Sequence, residues 1–328
     1  MVESSWRRRL VQAAVTSISV AVLLVAAGLS PASAQVQTKS SGGSDGPSLS
    51  RPHSGNTALT SVQHGYWLVG SDGGVFSFGS APFFGSAATL HLQSPVVGIA
   101  PTPDRDGYWF VASDGGVFSF GDANYYGSIP GLGIAPDDST LRPSLDAPIV
   151  GIVPSYDGRG YFLLANDGGV FAFGDAKFEG SCPGIGGCPG GGIADVMTDS
   201  TGNGYWVVSY AGNVQAFGDA INYGGAAKYL NGGNGEVISA ASTTSGHGYW
   251  ILLLNGAVYT FGDAGYFGGP SGQILFSNPA SAIFSTPDGG GYWVTATSGA
   301  VYAYGDAPYY GGVSTLHLNG PIVAATGS

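Results

Sequence analysis

The stretch GYWFVASDGGVFSFGDANYYGS at residues 107–128 recurs in related form five more times, beginning at Gly65, Gly160, Gly204, Gly248 and Gly291. In all six copies the interval from the leading glycine to a late one (Gly85, Gly127, Gly180, Gly224, Gly268, Gly311) is identical, whereas the segments between copies vary, so that copies start every 42–53 residues. A rigid unit joined by variable connections is the signature of a repeat architecture.

Within one unit, GYWFVAS is an apolar, aromatic-rich run, Asp114-Gly115-Gly116 is turn chemistry, residues 117–120 are a second run and Gly121-Asp122 a second turn. Residues 123–127 then read as a third strand. Side chains alternate along a strand, so Phe118 and Phe120 share one face and Val117 and Ser119 the other. Neither face is strongly polar, and such a sheet must be covered on both sides. A further strand precedes most units, as in PVVGIAP at 95–101 and PIVGIVP at 148–154, each followed by a turn such as TPDRDG or SYDGRG. Short turns imply antiparallel neighbours.

These features predict an all-β fold, a six-bladed β-propeller of four-stranded antiparallel blades spanning residues 57–328. Residues 321–326 (PIVAAT) repeat the preceding-strand pattern with no unit behind them, and residues 56–64 are too few to supply that strand in front of the first unit. The C-terminal strand is therefore expected to complete the first blade and close the ring, hiding two open edges. A lone blade buries too little to offset the entropy of ordering it. A β-solenoid is the competing architecture, but its coils are shorter and its ends need caps.

The combination GYW, SDGGVF, FGDA and YYGS at fixed spacing resembles the repeats of a family of secreted actinobacterial proteins, found alone or beside cell-wall-active or hydrolytic domains; the match covers residues 65–328. The resemblance implies an extracellular propeller, and some relatives carry an esterase label. The blade is also loosely similar to those of tachylectin-type sugar-binding propellers. The pattern is broken in places: Ser80 stands where other copies have Asp122, Asp175, Asp219, Asp263 and Asp306, and the DGG aspartate (Asp72, Asp114, Asp167) becomes Ala211, Asn255 and Ser298.

Residues 1–34 read as a secretory signal peptide: Arg7, Arg8 and Arg9, then an uncharged stretch over 10–29, then Ala32-Ser33-Ala34 as a small-residue site with cleavage between Ala34 and Gln35. The arginine run also fits a twin-arginine signal, and an uncleaved N-terminal anchor is the remaining alternative. Residues 35–56, rich in Ser, Gly and Pro, are expected to be a disordered spacer. The whole chain carries a net charge of −11, and removal of residues 1–34 takes away three arginines and one glutamate, leaving −13. Phosphate-rich partners are disfavoured, so no nucleic acid is expected. Once the signal is cleaved no stable membrane insertion is expected either, and the chain reads as a monomer.

The two cysteines, Cys182 and Cys188, lie in the loop SCPGIGGCPGGG, where an exported chain meets oxidising conditions. They are expected to form a local disulfide, since a metal site would need further ligands and none sits nearby. A G-x-S-x-G pattern at 42–46 lacks the flanking strand and helix of a nucleophile elbow. His91 and His317 occupy the same place in two TLHL segments, which makes them look structural. The longest insertion, 128–147, carries Asp137, Asp138 and Asp146 and reads as a solvated excursion or a binding loop. The recurrent FGDA aspartates fit either Asx turns or a ring of carboxylates around an axial cation.

The aromatic pairs Phe83-Phe84, Tyr125-Tyr126, Tyr266-Phe267 and Tyr309-Tyr310 fall on the third strand of the unit, with their members on opposite faces. Tyr125, Tyr126, Tyr266, Phe267, Tyr309 and Tyr310 are the candidate ligand-binding residues, through stacking on sugars or peptides; packing between blades is their alternative role. The expected function is that of a secreted, non-enzymatic binding or scaffold module for cell-wall glycan or a surface protein, needing no cofactor and no metal. An extracellular, esterase-like hydrolase and a purely structural surface protein are the alternatives.

Overall fold

In the computed structural model, residues 65–134, 144–230, 235–274 and 277–328 are described, all within one compact unit, Thr60–Ser328. The signal peptide and its Ala34/Gln35 site, the spacer, the G-x-S-x-G stretch, Asp137 and Asp138 lie outside the described residues. No helix among the described residues is long and apolar enough to cross a membrane.

Strands β1 (Gly65–Gly70) and β2 (Val75–Gly79) form a hairpin. Four three-stranded meanders follow: β3 (Val96–Pro101), β4 (Gly107–Ala112) and β5 (Val117–Gly121); β6 (Ile149–Pro154), β7 (Gly160–Ala165) and β8 (Val170–Gly174); β9 (Ile193–Thr198), β10 (Gly204–Ser209) and β11 (Val214–Gly218); and β12 (Val237–Ser242), β13 (Gly248–Leu253) and β14 (Val258–Gly262). A fifth comprises β15 (Ala280–Ser285), β16 (Gly291–Ala296) and β17 (Val301–Gly305), and β18 (Ile322–Gly327) ends the chain. β18 pairs antiparallel with β1, setting Trp67 opposite Thr326, so sheet 1 has the order β18-β1-β2. Six sheets of three antiparallel strands result. The first strands of neighbouring sheets also lie side by side, β3 beside β6 and β18, and β15 beside β12 and β18.

Each middle strand carries the GYW/GYF sequence and is buried along its whole length. Here both faces are covered by neighbouring sheets, as the lack of a polar face requires. The same aromatic contact recurs at six junctions: Trp67–Tyr108, Trp109–Tyr161, Phe162–Tyr205, Trp206–Tyr249, Trp250–Tyr292 and Trp293–Tyr66, with ring centroids 5.2–5.8 Å apart. The core is thus a set of equivalent inter-sheet clusters.

The hairpin turns follow from local chemistry. In sheet 2, Asp114 Oδ1 accepts the Gly116 N–H at 2.9 Å while Gly115 takes φ 79°, and a Cβ on Gly115 would lie 2.3 Å from Ile129 Cγ1. Asn255 and Ser298 accept the equivalent N–H where the aspartate is missing, and Ser209 Oγ does so beside Ala211.

One expectation is corrected. The unit has no third strand over 123–127, and the sheets have three strands rather than four. The backbone groups of that segment are taken by side chains instead of a ladder. Trp109 Nε1–H donates to Asn124 O at 2.7 Å, and the Tyr161 hydroxyl of the next sheet donates to Gly127 O at 2.5 Å while accepting the Tyr126 N–H at 3.2 Å. The tyrosine tie recurs at all six junctions, including Tyr66 to Gly311 O, and the tryptophan tie in five sheets, Phe162 replacing tryptophan in the third. Burial pushes the hydroxyls of Tyr66, Tyr205, Tyr249 and Tyr292 up to about 12, which keeps them protonated and able to donate.

Candidate functional site

The pinned segments carry the aromatic pairs, and the structure separates their members. Tyr125, Tyr266 and Tyr309 are 56 %, 65 % and 64 % exposed, and Phe83 is likewise exposed. Tyr126 and Phe267 are half-buried against the next sheet, on Tyr161 (5.7 Å) and Tyr292 (5.5 Å), whereas Tyr310 packs on Tyr66 (5.9 Å) and still leaves 37 % of its surface exposed. In the third unit, where Lys177, Phe178 and Glu179 replace the pattern, Lys177 Nζ lies 2.6 Å from Glu179 Oε1. The inward members are inter-sheet packing; the outward ones are a repeated surface feature.

The FGDA aspartates face their own sheet's first turn. Asp175 accepts from Ser155 Oγ (3.1 Å), Asp263 from Thr243 Oγ1 (2.9 Å) and Ser245 Oγ (2.6 Å), and Asp306 from Thr286 Oγ1 (3.3 Å). None lines the axial cavity, and no group of three potential metal ligands occurs among the described residues. His91, His247 and His317 are exposed. The Cys182–Cys188 disulfide forms as expected, with Cα atoms 4.9 Å apart; Cys182 is buried over Gly168, the place that Ile129 fills over Gly115 in sheet 2.

A site that reading the units alone misses lies where the six first strands meet. They line a single cavity of ≈ 330 Å³. Each of these strands has a bulge at its second residue, and the third residue is Gly98, Gly151, Ser239, Ala282 or Ala324 in five sheets. In β9 it is Asp195. Asp195 Oδ2 accepts the Ala240 N–H (2.8 Å) and the Ser239 hydroxyl (3.0 Å), and Ser239 Oγ in turn accepts the Ile283 N–H (3.3 Å), a chain across three sheets. Arg105 lines the same cavity. Comparing the repeats position by position, rather than motif by motif, is the signal that would have picked out both residues.

No family model matches the sequence, and no curated protein does. Among solved structures, a chain in the crystal structure of a nidogen/laminin complex is similar over 80 % of this chain and 98 % of that one, with a TM-score of 0.54 at 10 % identity. The fold is a β-propeller. Its six sheets are blades set around an axial cavity, and the likeness concerns the fold alone. The β-propeller domain of Myceliophteria thermophila Cps50 (Swd1) (TM-score 0.43, 10 % identity, 72 % of this chain and 78 % of that one) and YCF48 bound to D1 peptide (0.44, 14 %, 75 % of each) are more distant.

Burial pushes the Asp195 carboxyl of the propeller up to about 6, while bonds from Ala240, Val196 and Ser239 pull it down. Asp195 is half-buried and lines the cavity. Because the native state holds this proton more tightly than the unfolded chain does, the penalty is absent below the ordinary value of 3.8, grows as pH rises through about 6 and is complete above it. Asp195→Asn is therefore expected to gain stability relative to the parent between pH 4 and pH 8, by on the order of 3 kcal/mol. Urea unfolding of both proteins across that range checks it, and parallel curves would exclude a buried, titrating Asp195.

Proposed function

We propose that this chain is a secreted, non-enzymatic propeller acting as a binding or scaffold module at the cell envelope, with glycan or a surface protein as its ligand. The observation that carries this reading is the outward aromatic side chain at one position in four blades: Phe83, Tyr125, Tyr266 and Tyr309. Each stands on a segment whose backbone is held by a buried tryptophan of its own blade and a tyrosine of the next. A ring presented on fixed backbone can stack on a sugar or a peptide with little further loss of entropy, and tyrosine adds a hydroxyl. Several similar weak sites would give polymers their affinity through avidity.

The pairing of β18 with β1 and the Trp293–Tyr66 contact support a ring closed by the C-terminal strand, working as a monomer. Export rests on the signal-like residues 1–34, and the charge of the remaining chain argues against nucleic acid as ligand.

The test is titration of the protein beginning at Gln35 with cell-wall glycan fragments and then with the long polymer. Tyr125→Ala, Tyr266→Ala and Tyr309→Ala remove exposed rings and are each expected to leave stability within about 0.5 kcal/mol of the parent. Combined, they are expected to weaken polymer binding by at least about tenfold. Unchanged polymer binding by the folded triple variant would remove the aromatic rim as the site. Turnover of p-nitrophenyl esters that vanishes on replacing one serine or histidine would favour the hydrolase instead.

A further inference from the structure

We propose that the end of the axial cavity beside Arg105 binds a small ligand through a carboxylate group. The cavity differs between its two ends. The second residues of the first strands that line it include Val97, Val150, Ile238 and Val323, whereas the sixth residues, about 13 Å further along, include Thr198, Ser242 and Ser285. The hydroxyls of those three residues make no hydrogen bond among the described residues. Arg105 follows β3 in the turn to β4 and so stands at this hydroxyl-lined end.

Two observations set Arg105 apart. Its guanidinium has no ion-pair or hydrogen-bond partner among the described residues, although Asp104 and Asp106 flank it in sequence; Arg159, by contrast, lies 3.7 Å from Asp157. Burial lowers its pKa with no carboxylate acting against that, as befits a cation withdrawn from water and left uncompensated. Second, Arg105 holds φ 66°, the one non-glycine residue with positive φ among those described. The corresponding turns of the other meanders place Gly158, Gly202, Gly246 and Gly289 there.

Packing disfavours a side chain at the equivalent position of the next two turns. A Cβ on Gly158 would lie 2.5 Å from Pro103 Cδ, and one on Gly202 would lie 2.6 Å from Tyr156 Cβ, because each turn abuts the turn of the preceding blade. Sheet 1 takes β18 and β1 from distant parts of the chain, so among the described residues no turn joins them to abut the turn that carries Arg105. Room permits the side chain without requiring the strained backbone, which glycine would relieve.

A planar guanidinium offers a fork of donors that matches an oxyanion, and three free hydroxyls are neutral donors around it. Asp195 lies about 10 Å deeper and is already engaged by Ala240 and Ser239, so it does not neutralise Arg105. In a chain of net charge −11 a singly charged carboxylate is opposed less than a phosphate dianion. The cavity volume suits the carboxylate and a small polar body, within the lower range of ligand pockets. The site is separate from the aromatic rim and stands or falls independently of it.

The experiment follows thermal unfolding and calorimetric binding of the protein beginning at Gln35 with N-acetylalanine, glucuronate and inorganic phosphate, each against sodium chloride at matched ionic strength. The expected result is a saturable rise in Tm with a carboxylate probe, reduced in Arg105→Lys and lost in Arg105→Gly. Without ligand, Arg105→Gly is expected to melt within about 2 °C of the parent, because it restores the residue that four other turns carry. A carboxylate effect that survives in Arg105→Gly, or equal Tm in carboxylate and chloride, would overturn the proposal. So would a much lower unliganded Tm in Arg105→Gly, which would make Arg105 structural. A larger shift with phosphate than with either carboxylate would overturn the carboxylate assignment.

Discussion

Deleting residues 320–328 is expected to abolish cooperative folding of the propeller rather than fray one end. β18 supplies the strand that pairs with β1 from Tyr66 to Gly70, buries Ile322 in the cluster that includes Tyr66 and Trp293, and lies beside both β3 and β15. Its loss would expose one edge of β1 and remove one wall of the axial cavity. Blades are stable only through their neighbours, so the damage should reach sheets 2 and 6 as well as sheet 1. Hydrogen exchange and urea unfolding provide the measurement. The expected outcome is a broad or absent transition with protection lost from several blades, and a truncated protein melting like the parent would show that β18 merely covers an edge.

The second large effect is expected at Trp109. Its side chain is fully buried, packs 5.8 Å from Tyr161 and 6.5 Å from Tyr126, and donates to Asn124 O. Trp109→Ala removes that packing and leaves a carbonyl without its partner, so a loss of about 3–5 kcal/mol is expected. Trp109→Phe keeps much of the ring contact and places at this position the residue that Phe162 supplies in sheet 3. A smaller loss of about 1–2 kcal/mol is expected there, chiefly from the orphaned carbonyl. The urea midpoints of the two variants measure the difference. Equal losses would mean that the tie to Asn124 contributes nothing, and a loss below about 1 kcal/mol for the alanine variant would contradict tight inter-blade packing.

What the sequence by itself determined about this protein is what depends on neighbouring residues. Gly115 with Asp114 specifies a turn because only glycine adopts φ 79° without strain and a short carboxylate reaches an N–H two residues on. The identical spacing within each of the six units made six equivalent sheets legible, and the closeness of Cys182 to Cys188 made the disulfide so. What only the tertiary structure decided is what a second sheet supplies. Residues 123–127 have strand-like composition, but the Tyr161 hydroxyl of the next blade takes their backbone groups, and no local pattern reveals that reach. Which member of Tyr125-Tyr126 faces solvent was likewise fixed by where the next blade's tyrosine lies, since alternation says only that the two differ. Taken motif by motif, Asp195 and Arg105 are ordinary charged residues in strand and turn. Their surroundings arise only when six strands from across the chain converge on one cavity, because desolvation is a property of the assembled fold and not of the sequence on either side.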